Sequence, residues 1–336
     1  MHLDDRFDEL IDTLAGFHRT RLVYIGVELG LFAHLRAAGR QGLSATELAR
    51  LSGCAPGPIG AWVSAADAHE LAEIQGDRLV LDEDTAVILL DEARPEFLGG
   101  QFVHSIVASL DWGGMLEFFS TGQPIPQRPD RYRRSIERLT VQDVAVFFQE
   151  ALAELPQLVG DLSGGGRVVD IHSGGGRWLI AMAQRFPALE LVGLEFEADS
   201  AARARANVEA AGLTERIKIR DMDVTALGPT EPFDLAYFQY ALHQLDDPAA
   251  SLRAAWMRVR AGGRLLVLDW ALPSDLEAFR TRQGGLIAGV QLDELYQGTA
   301  LATREAVRAW FAEADLPEPL VIDLPSGATL VVAERA

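Results

Sequence analysis

The sequence predicts an α/β protein in which a mostly helical N-terminal part precedes a doubly wound parallel sheet. In the second half, five strand-like segments alternate with helical ones, a pattern typical of parallel strands covered by helices on both faces. Over the first ~110 residues the apolar positions follow a helical period with short polar breaks. The final segment, LVIDLPSGATLVVAERA, predicts two antiparallel strands joined by a Pro-Ser-Gly turn.

The order of these segments predicts a seven-stranded sheet that ends in an antiparallel hairpin. Its parallel strands are expected at RVVDI (167–171), ELVGLE (190–195), RIKIR (216–220), FDLAYF (233–238) and RLLVLD (264–269), with helices at 177–186 and 198–211. In such a sheet ligands bind beyond the carboxyl ends of the strands, so the residues that end or follow strands are candidates for a site.

The N-terminal part has the order of elements of a winged helix. Ser44 and Glu47 form an S-x-x-E capping box, which predicts a helix from about residue 45. Gly53 is expected to end that helix, and a second helix is expected after Pro58. The segment GDRLVLDEDTAVIL (76–89) predicts a short hairpin wing.

Winged helices often bind DNA, but the charges of this segment argue against that function. No Lys or Arg lies between Arg50 and Arg78, so the second helix offers no contacts to phosphates. We therefore interpret this part as a scaffold or dimerisation module.

The composition of the chain indicates where the protein is located and which partners it does not bind. The chain has 49 acidic and 30 basic residues, and its net charge of −19 disfavours binding to nucleic acids and anionic membranes. We find no apolar run long enough for a transmembrane helix, and the acidic N-terminus does not resemble a secretory signal. The single Cys54 excludes an internal disulfide and a cysteine metal site. A cytoplasmic protein without a metal or membrane partner is expected.

A glycine-rich string, SGGGR, occurs at 163–167 and again at 173–177. The first copy enters a predicted strand and the second follows it and opens a helix, so only the second can direct backbone N–H groups at a ligand. Asp170 ends that strand and Glu195 ends the next, where an acid can accept hydrogen bonds from ribose hydroxyls. Leu179 occupies the place of the last glycine of a dinucleotide motif, which disfavours NAD, and no P-loop sequence is present.

Over roughly residues 130–336 the chain resembles the class I S-adenosylmethionine-dependent methyltransferases. VVDIHSGGGRW stands where their Asp-x-Gly-x-Gly-x-Gly motif falls, and LVGLEF and RDMDV resemble their second and third motifs. FQYALHQLDDPAASLRAAWMRVRAGGRLLVLDW resembles their fourth and fifth strands with the helix between. With the N-terminal winged-helix part, the resemblance is to small-molecule O-methyltransferases that dimerise through that part.

The resemblance implies S-adenosyl-L-methionine as the cofactor and a Rossmann-like domain to hold it. Glu195 would bind the ribose, Asp223 would accept a hydrogen bond from the adenine amine, and Met222 would pack on the adenine ring. The full set of implied cofactor-binding residues is Asp170, His172, Gly174, Gly176, Glu195, Phe196, Met222, Asp223, Gln239 and Tyr240.

His172 departs from the family pattern, which has glycine at this position because the cofactor passes close to the backbone. Three interpretations are open: cofactor binding is lost, the imidazole contacts the cofactor or the substrate, or the ring turns aside. The presence of Asp170, Glu195 and Asp223 favours retained binding.

His243, in ALHQLDDP, is the candidate catalytic residue. In similar plant O-methyltransferases a histidine at this point is the general base that deprotonates a hydroxyl, work that suits imidazole near neutral pH. Gln244 and Leu245 differ from those enzymes, which carry an acidic residue and Trp there, so a hydrogen-bonded histidine beside the cofactor remains the alternative.

Aromatic residues are candidates for the acceptor site. Tyr240 and Trp270 stand at the ends of the fourth and fifth strands, where they could also hold the sulfonium by cation–π attraction. Tyr132 lies in an aromatic-rich middle segment and is a third candidate. Asp246 and Asp247 resemble metal ligands, but Pro248 follows them, so they are expected to cap a helix that starts at Ala249.

Three parts are therefore expected: a winged-helix-like dimerisation domain over 1–95, a helical connecting segment over 96–155 that acts as a substrate lid, and an S-adenosylmethionine-binding domain over 156–336. The favoured function is methyl transfer to a small biosynthetic acceptor by a homodimer. One alternative is an enzyme that cyclises the amino-acid part of the cofactor and releases methylthioadenosine. Another is a non-catalytic ligand sensor.

Overall fold

The computed structural model describes residues 2–125 and 128–336. They fall into two compact units. The first contains residues 2–114 and 128–145, and the second contains residues 115–125 and 146–336. The predicted middle segment 96–155 is thus shared by both units, and its role as a lid stays a prediction, as does the three-part division.

The first unit is mostly helical. Its elements are α1 (Leu3–Glu28), α2 (Leu31–Ala38), a 3₁₀ turn (Gly39–Gln41), α3 (Ala45–Ser52), α4 (Pro56–Ala68), β1 (Glu73–Gln75), β2 (Arg78–Val80), α5 (Glu83–Leu90), α6 (Gly99–Ser109), a 3₁₀ turn (Trp112–Gly114) and α8 (Asp130–Leu139), with α9 (Val141–Val146) at its end. One apolar cluster, formed by α1 to α5 and the β1–β2 hairpin, is its core.

The capping signals of this unit act as the sequence predicts, but the wing is shorter. Ser44 accepts a hydrogen bond from the N–H of Glu47 at the start of α3, and Gly53 ends the helix in the left-handed conformation with φ of 67°. The expectation that 76–89 forms a wing is wrong in its second half. The side chain of Asp82 caps α5 there, because it accepts the N–H of Thr85 at 2.8 Å.

The second unit contains the large sheet and the helices that cover it. Its elements are α7 (Met115–Thr121), a π-helical turn (Phe147–Ala151), α10 (Leu152–Glu154), α11 (Pro156–Ser163), β3 (Gly166–Ile171), α12 (Arg177–Arg185), β4 (Leu189–Glu195), α13 (Ala198–Ala210), β5 (Ile217–Asp221), β6 (Phe233–Gln239), α14 (Pro248–Trp256), β7 (Val259–Asp269), α15 (Leu276–Phe279), α16 (Arg282–Gln297), α17 (Arg304–Glu313), β8 (Leu320–Asp323) and β9 (Thr329–Glu334). Two 3₁₀ turns lie at Val224–Ala226 and Leu242–Gln244.

The sheet order is β5-β4-β3-β6-β7-β9-β8, which confirms the predicted seven strands. Strands β3 to β7 are parallel, whereas β9 runs antiparallel to β7 and β8. The chain builds outward from β3 to β5 and then returns to add β6 on the other side of β3. The carboxyl ends of β3 and β6 therefore form a topological switch point, where doubly wound sheets bind ligands.

Alternation along the strands fills both faces of the sheet. Val168 and Tyr237 belong to the apolar cluster on one face, whereas Val169 and Phe238 belong to the cluster on the other. All four side chains are at most 1% exposed. A sheet buried on both faces holds its strand ends in fixed positions, which is the requirement for a precise site.

Among the described residues, no single helix is both long and apolar enough to cross a membrane. α1 and the segment 31–41 reach the required length and apolar content only when they are taken together, and the chain bends by 72° between them. The predicted cytoplasmic location stays a prediction.

Candidate active site

Four acidic residues stand at the carboxyl edge of the parallel strands. Asp170 is the next-to-last residue of β3, Glu195 ends β4, Asp223 follows β5 and Asp269 ends β7. The register places Asp170 opposite Gly193 on one side and Tyr237 on the other. The predicted strand ends are thus brought together along one edge.

The second glycine string forms the loop between β3 and α12, as predicted. Gly174 and Gly176 have φ of 52° and 73°, values that glycine adopts without strain, and Gly176 is the N-cap of α12. Asn207 on α13 donates its side-chain N–H to the carbonyl of Gly175 at 2.9 Å. The first string precedes β3 and lies at the opposite end of that strand.

Asp170 and Glu195 are buried carboxyl groups at the ends of neighbouring strands. The exposed fractions of the two residues are 3% and 1%. Glu195 accepts the backbone N–H of Gly174 at 2.8 Å and that of Glu197 at 2.9 Å, bonds that fix the position of its carboxylate. Burial, and then the charge of Glu195, raise the pKa of Asp170 well above its ordinary value. Asp170 therefore binds a proton more readily than an exposed aspartate does.

Leu179 packs at the position where a dinucleotide motif needs a small residue. A Cβ atom on Gly193 of β4 would lie 2.7 Å from Cδ1 of Leu179 and 2.7 Å from Oγ of Ser173. The space that Leu179 needs is thus provided by a glycine on the neighbouring strand, and Leu179 is fully buried against it. The absence of a side chain at Gly193 explains how α12 approaches the sheet despite the leucine.

His172 adopts a backbone conformation that normally belongs to glycine. Its φ is 62°, in the left-handed region. The imidazole meets the ring of Phe196 edge to face, with 4.9 Å between ring centroids, and its Nδ1 is buried without a hydrogen-bond partner among the described residues. Phe196 itself is 48% exposed. The loop therefore keeps the glycine-like backbone path and adds a side chain to it.

The third motif lies beside the second, because β5 pairs with β4. The N–H of Met222 donates to the carbonyl of Glu195 at 3.1 Å, and Met222 packs against the apolar cluster on one face of the sheet. Asp223 accepts hydrogen bonds from the backbone N–H and the hydroxyl of Thr225 through Oδ1. No hydrogen bond is described for its other carboxylate oxygen, which leaves an acceptor for a ligand.

His243 lies between two carboxylates. Its Nδ1 is 2.7 Å from Oδ2 of Asp269, and its Nε2 is 3.6 Å from Oε2 of Glu294 on α16, too long for a direct hydrogen bond. Burial alone would lower the pKa of His243, but the charges of Asp269 and Glu294 outweigh it and raise the pKa to about 10. Burial would raise the pKa of Glu294, and the His243 imidazolium reverses this and lowers it.

The sequence interpretation missed Asp269 and Glu294 as site residues. Asp269 ends the predicted strand RLLVLD, so the rule that located Asp170 and Glu195 also locates it. Glu294 belongs to a helix beyond the last parallel strand, and no spacing in the sequence connects it with His243. The hydroxyl of Thr299 donates a hydrogen bond to Oε2 of Glu294 at 2.5 Å and so holds this carboxylate in place.

The remaining predicted residues divide between the two units. Tyr240, with a positive φ of 48°, meets Trp270 edge to face at 5.6 Å, and Gln239 accepts a hydrogen bond from Tyr237. Tyr132 is 4% exposed in the first unit, where the Arg128 guanidinium lies over its ring. Its role in substrate binding stays a prediction.

Asp247, the second acidic residue of the pair at 246–247, has a structural role. Asp247 accepts the N–H of Ala250 and caps α14, which begins at Pro248, one residue before the predicted start. Among the residues described here, no group of three or more His, Cys, Asp or Glu side chains could hold a metal ion.

Comparison with known proteins agrees with this geometry. Residues 168–263 match a family model described as a methyltransferase domain. A demethylmenaquinone methyltransferase of Thermus thermophilus is 30% identical over 108 residues, which cover 32% of this chain and 48% of that protein. The 3-hydroxy-5-methyl-1-naphthoate 3-O-methyltransferase of Streptomyces sahachiroi is 26% identical over 277 residues, covering 79% and 78%. The chain thus spans about half the length of the former relative and most of the latter.

Solved structures share the fold across the whole chain. The structure of PigF with S-adenosylhomocysteine has a TM-score of 0.75 at 20% identity and covers 98% of this chain and 99% of that one. The domain match and the shared fold agree with the resemblance to class I S-adenosylmethionine-dependent methyltransferases on which the motif series rests.

Proposed function

We propose that the protein transfers a methyl group from S-adenosylmethionine to a hydroxyl group of a small, partly apolar molecule. The observation that carries this proposal is the row of strand-end side chains. Asp170 and Glu195 lie at the ends of β3 and β4 and Asp223 follows β5, while His243 follows β6 and its enclosed partner Asp269 ends β7. The first three suit a cofactor, and the last two suit an acceptor hydroxyl.

The loop after β3 fits the amino-acid and ribose parts of the cofactor. A Cβ atom on Gly174 would meet nothing within 4 Å, so the backbone is open to a ligand there. His172 Nδ1 and Ser173 Oγ are buried polar atoms without partners in the described chain, which is the condition that a polar ligand relieves. Glu195 would hold the ribose, and Met222 and Asp223 would hold the adenine. When bound, the cofactor supplies an activated methyl group on a sulfonium.

His243 would receive the proton of the acceptor hydroxyl at Nε2. Asp269 holds Nδ1, so the ring has one fixed orientation, and Nε2 has no hydrogen-bond partner among the described residues. Because the pKa of His243 is raised to about 10, the imidazole is mostly protonated at neutral pH, and the base form increases as the pH rises. Positioning and exclusion of water would supply the rest of the rate enhancement.

The acceptor is proposed to be an aromatic or otherwise partly apolar biosynthetic molecule. Tyr240 and Trp270 present aromatic surface at the ends of β6 and β7, close in sequence to His243 and Asp269. Relatives include the naphthoate O-methyltransferase and a 27-O-demethylrifamycin SV methyltransferase of Amycolatopsis mediterranei. These names concern methyl transfer to oxygen on a naphthoate and on a rifamycin, and methyl transfer to a hydroxyl group of a small molecule is what we propose here.

A homodimer is the proposed assembly, and α1 supports it. Five exposed apolar residues repeat along this helix at alternating spacings of four and three: Leu3, Phe7, Leu10, Leu14 and Phe17. Such a seam is typical of a helix that packs against another helix. Residues 3–12 of α1 contain five acidic residues and one arginine, whereas residues 13–21 contain two arginines and no acidic residue. Antiparallel pairing of two copies would place the acidic end of one helix beside the basic segment of the other and so avoid like-charge contact.

The nucleoside product tests the proposed reaction. The enzyme is incubated with S-adenosylmethionine and a panel of phenols and naphthols, with and without each acceptor. Release of S-adenosylhomocysteine that depends on an acceptor is expected. Methylthioadenosine formed without an acceptor would favour the cyclising alternative instead, which the methyltransferase relatives do not support.

A further inference from the structure

His172 carries two unfavourable features that nothing within the described chain relieves. Its backbone has φ of 62°, a conformation that costs a side-chain-bearing residue free energy and that glycine adopts freely. Its Nδ1 is buried without a hydrogen-bond partner, which also costs free energy. Glycine at this position would remove both costs, so a ligand contact is the benefit that the imidazole can offer.

The surroundings of the ring show which part of a ligand it would meet. The imidazole packs edge to face on Phe196, whose neighbour in sequence is Glu195. Glu195 is also tied to the His172 loop, because it accepts the N–H of Gly174 at 2.8 Å. The ring therefore packs on the residue that follows Glu195, and its own loop is bonded to the carboxylate to which the proposed function assigns the ribose.

We propose that Nδ1 of His172 forms a hydrogen bond with a ribose hydroxyl of the cofactor, beside Glu195. A hydroxyl both donates and accepts, so it matches either tautomer of the neutral imidazole. His172 would thus add a side-chain contact that a glycine loop lacks, while Gly174 and Gly176 keep the backbone open. The inference rests on the proposed cofactor.

The test separates relief of backbone strain from loss of a ligand contact. His172→Gly is compared with Asp315→Gly, a control in which an exposed residue at φ of 59° far along the sequence is relaxed in the same way. Both variants are expected to raise the melting temperature of the unliganded protein. Calorimetry then measures the binding of S-adenosylhomocysteine and of methylthioadenosine, which shares the ribose and lacks the amino-acid part.

His172→Gly is expected to weaken the binding of both ligands about five- to tenfold, the loss of one hydrogen bond, whereas Asp315→Gly leaves both affinities unchanged. His172→Asn, which tolerates the left-handed conformation and keeps a polar group, is expected to recover part of the loss. Unchanged affinity in His172→Gly would overturn the inference, and so would a loss confined to S-adenosylhomocysteine. If the wild-type protein bound neither ligand, the proposed function itself would fail.

Discussion

Nδ1 of His243 lies 2.7 Å from Oδ2 of Asp269, and the two side chains are only 4% and 14% exposed. At this distance in an enclosed site the bond is charge-assisted and fixes the orientation of the ring. It also sets the charge of the site, because the histidine keeps its proton well above neutral pH. Glu294 adds to this effect from a longer distance, 3.6 Å from Nε2.

Asp269→Asn should lower the pKa of His243 from about 10 towards the ordinary value of 6.5. Glu294→Gln should lower it less, because the Asp269 carboxylate is closer and bonds the ring directly. Titration of the imidazole signals by NMR measures both values without an acceptor. An equal effect of the two variants would contradict the assignment of Asp269 as the main partner.

Stability should depend on pH through the same histidine. Its folded pKa lies above the unfolded value, so the stabilisation from its proton is complete below about pH 6.5 and is lost as the pH rises towards 10. Denaturation by urea at pH 6 and pH 10 measures the change in the free energy of unfolding. His243→Gln should flatten that change. An equally steep decline in the variant would show that other groups cause it.

The fold and the positions of the strand-end acids Asp170 and Glu195 followed from the pattern of strands. Parallel strands place their carboxyl ends at one edge of the sheet, and the sequence marks those ends clearly, whereas Asp223 came from the resemblance to the methyltransferase motifs. The same rule also locates Asp269, because this residue ends β7. Glu294 could not be located, because a helix beyond the sheet brings it to His243 through tertiary packing, which leaves no periodic signal.

One local error has a physical explanation. Residues 83–89 were expected in a hairpin, since their apolar content suits a strand as well as a helix, but the Asp82 cap starts a helix there instead. The interpretation that Leu179 disfavours NAD is not contradicted, but the sequence alone does not show how a leucine fits at this point of the helix. The compensating Gly193 lies on the next strand, and only the three-dimensional packing relates the two.

The packing of Leu179 on Gly193 can be measured by a double-mutant cycle. Leu179→Ala should reduce the free energy of unfolding by about 2–5 kcal/mol through the cavity it leaves. Gly193→Ala should cost about 1–3 kcal/mol by overpacking. The double variant should lose less free energy of unfolding than the sum of the two single losses, because the shortened side chain relieves one of the close contacts of the new methyl group.

Gly160→Ala is the control for the glycine substitution. It lies exposed in α11 with nothing within 4 Å of an added Cβ atom, so the change should stabilise the protein by about 0.5–1 kcal/mol. Strict additivity of Leu179→Ala and Gly193→Ala would show that the two sites do not share a contact.

Burial of Asp170 predicts a second pH effect. Its folded pKa is raised, so the free energy of unfolding should fall as the pH rises through that pKa. Asp170→Asn keeps the shape of the side chain and cannot ionise. Between pH 5 and pH 8 the variant should therefore lose less stability than the wild-type protein, while the contribution of His243 is common to both. A parallel pH dependence of the two proteins would contradict a raised pKa for Asp170.

The α1 seam predicts how the assembly can be broken. Leu10→Glu, at an exposed position in the middle of the seam, should convert a dimer into monomers without loss of helical content. Gly16→Glu, which adds the same charge to α1 outside the seam, should leave the dimer intact. Light scattering coupled to gel filtration measures the mass of each variant. A wild-type monomer, or a dimer that resists Leu10→Glu, would exclude this interface.

The cofactor site is tested most directly by calorimetric titration of the wild-type protein and Glu195→Gln with S-adenosylhomocysteine. Glu190→Gln, an exposed change on the same strand, is the matched control. Wild type and Glu190→Gln should bind one ligand per chain with equal affinity, and Glu195→Gln should bind at least tenfold more weakly, because a carboxylate bonds hydroxyls more strongly than an amide does. No binding by the wild-type protein, or equal binding by all three, would contradict the assignment of this strand edge as the S-adenosylmethionine site.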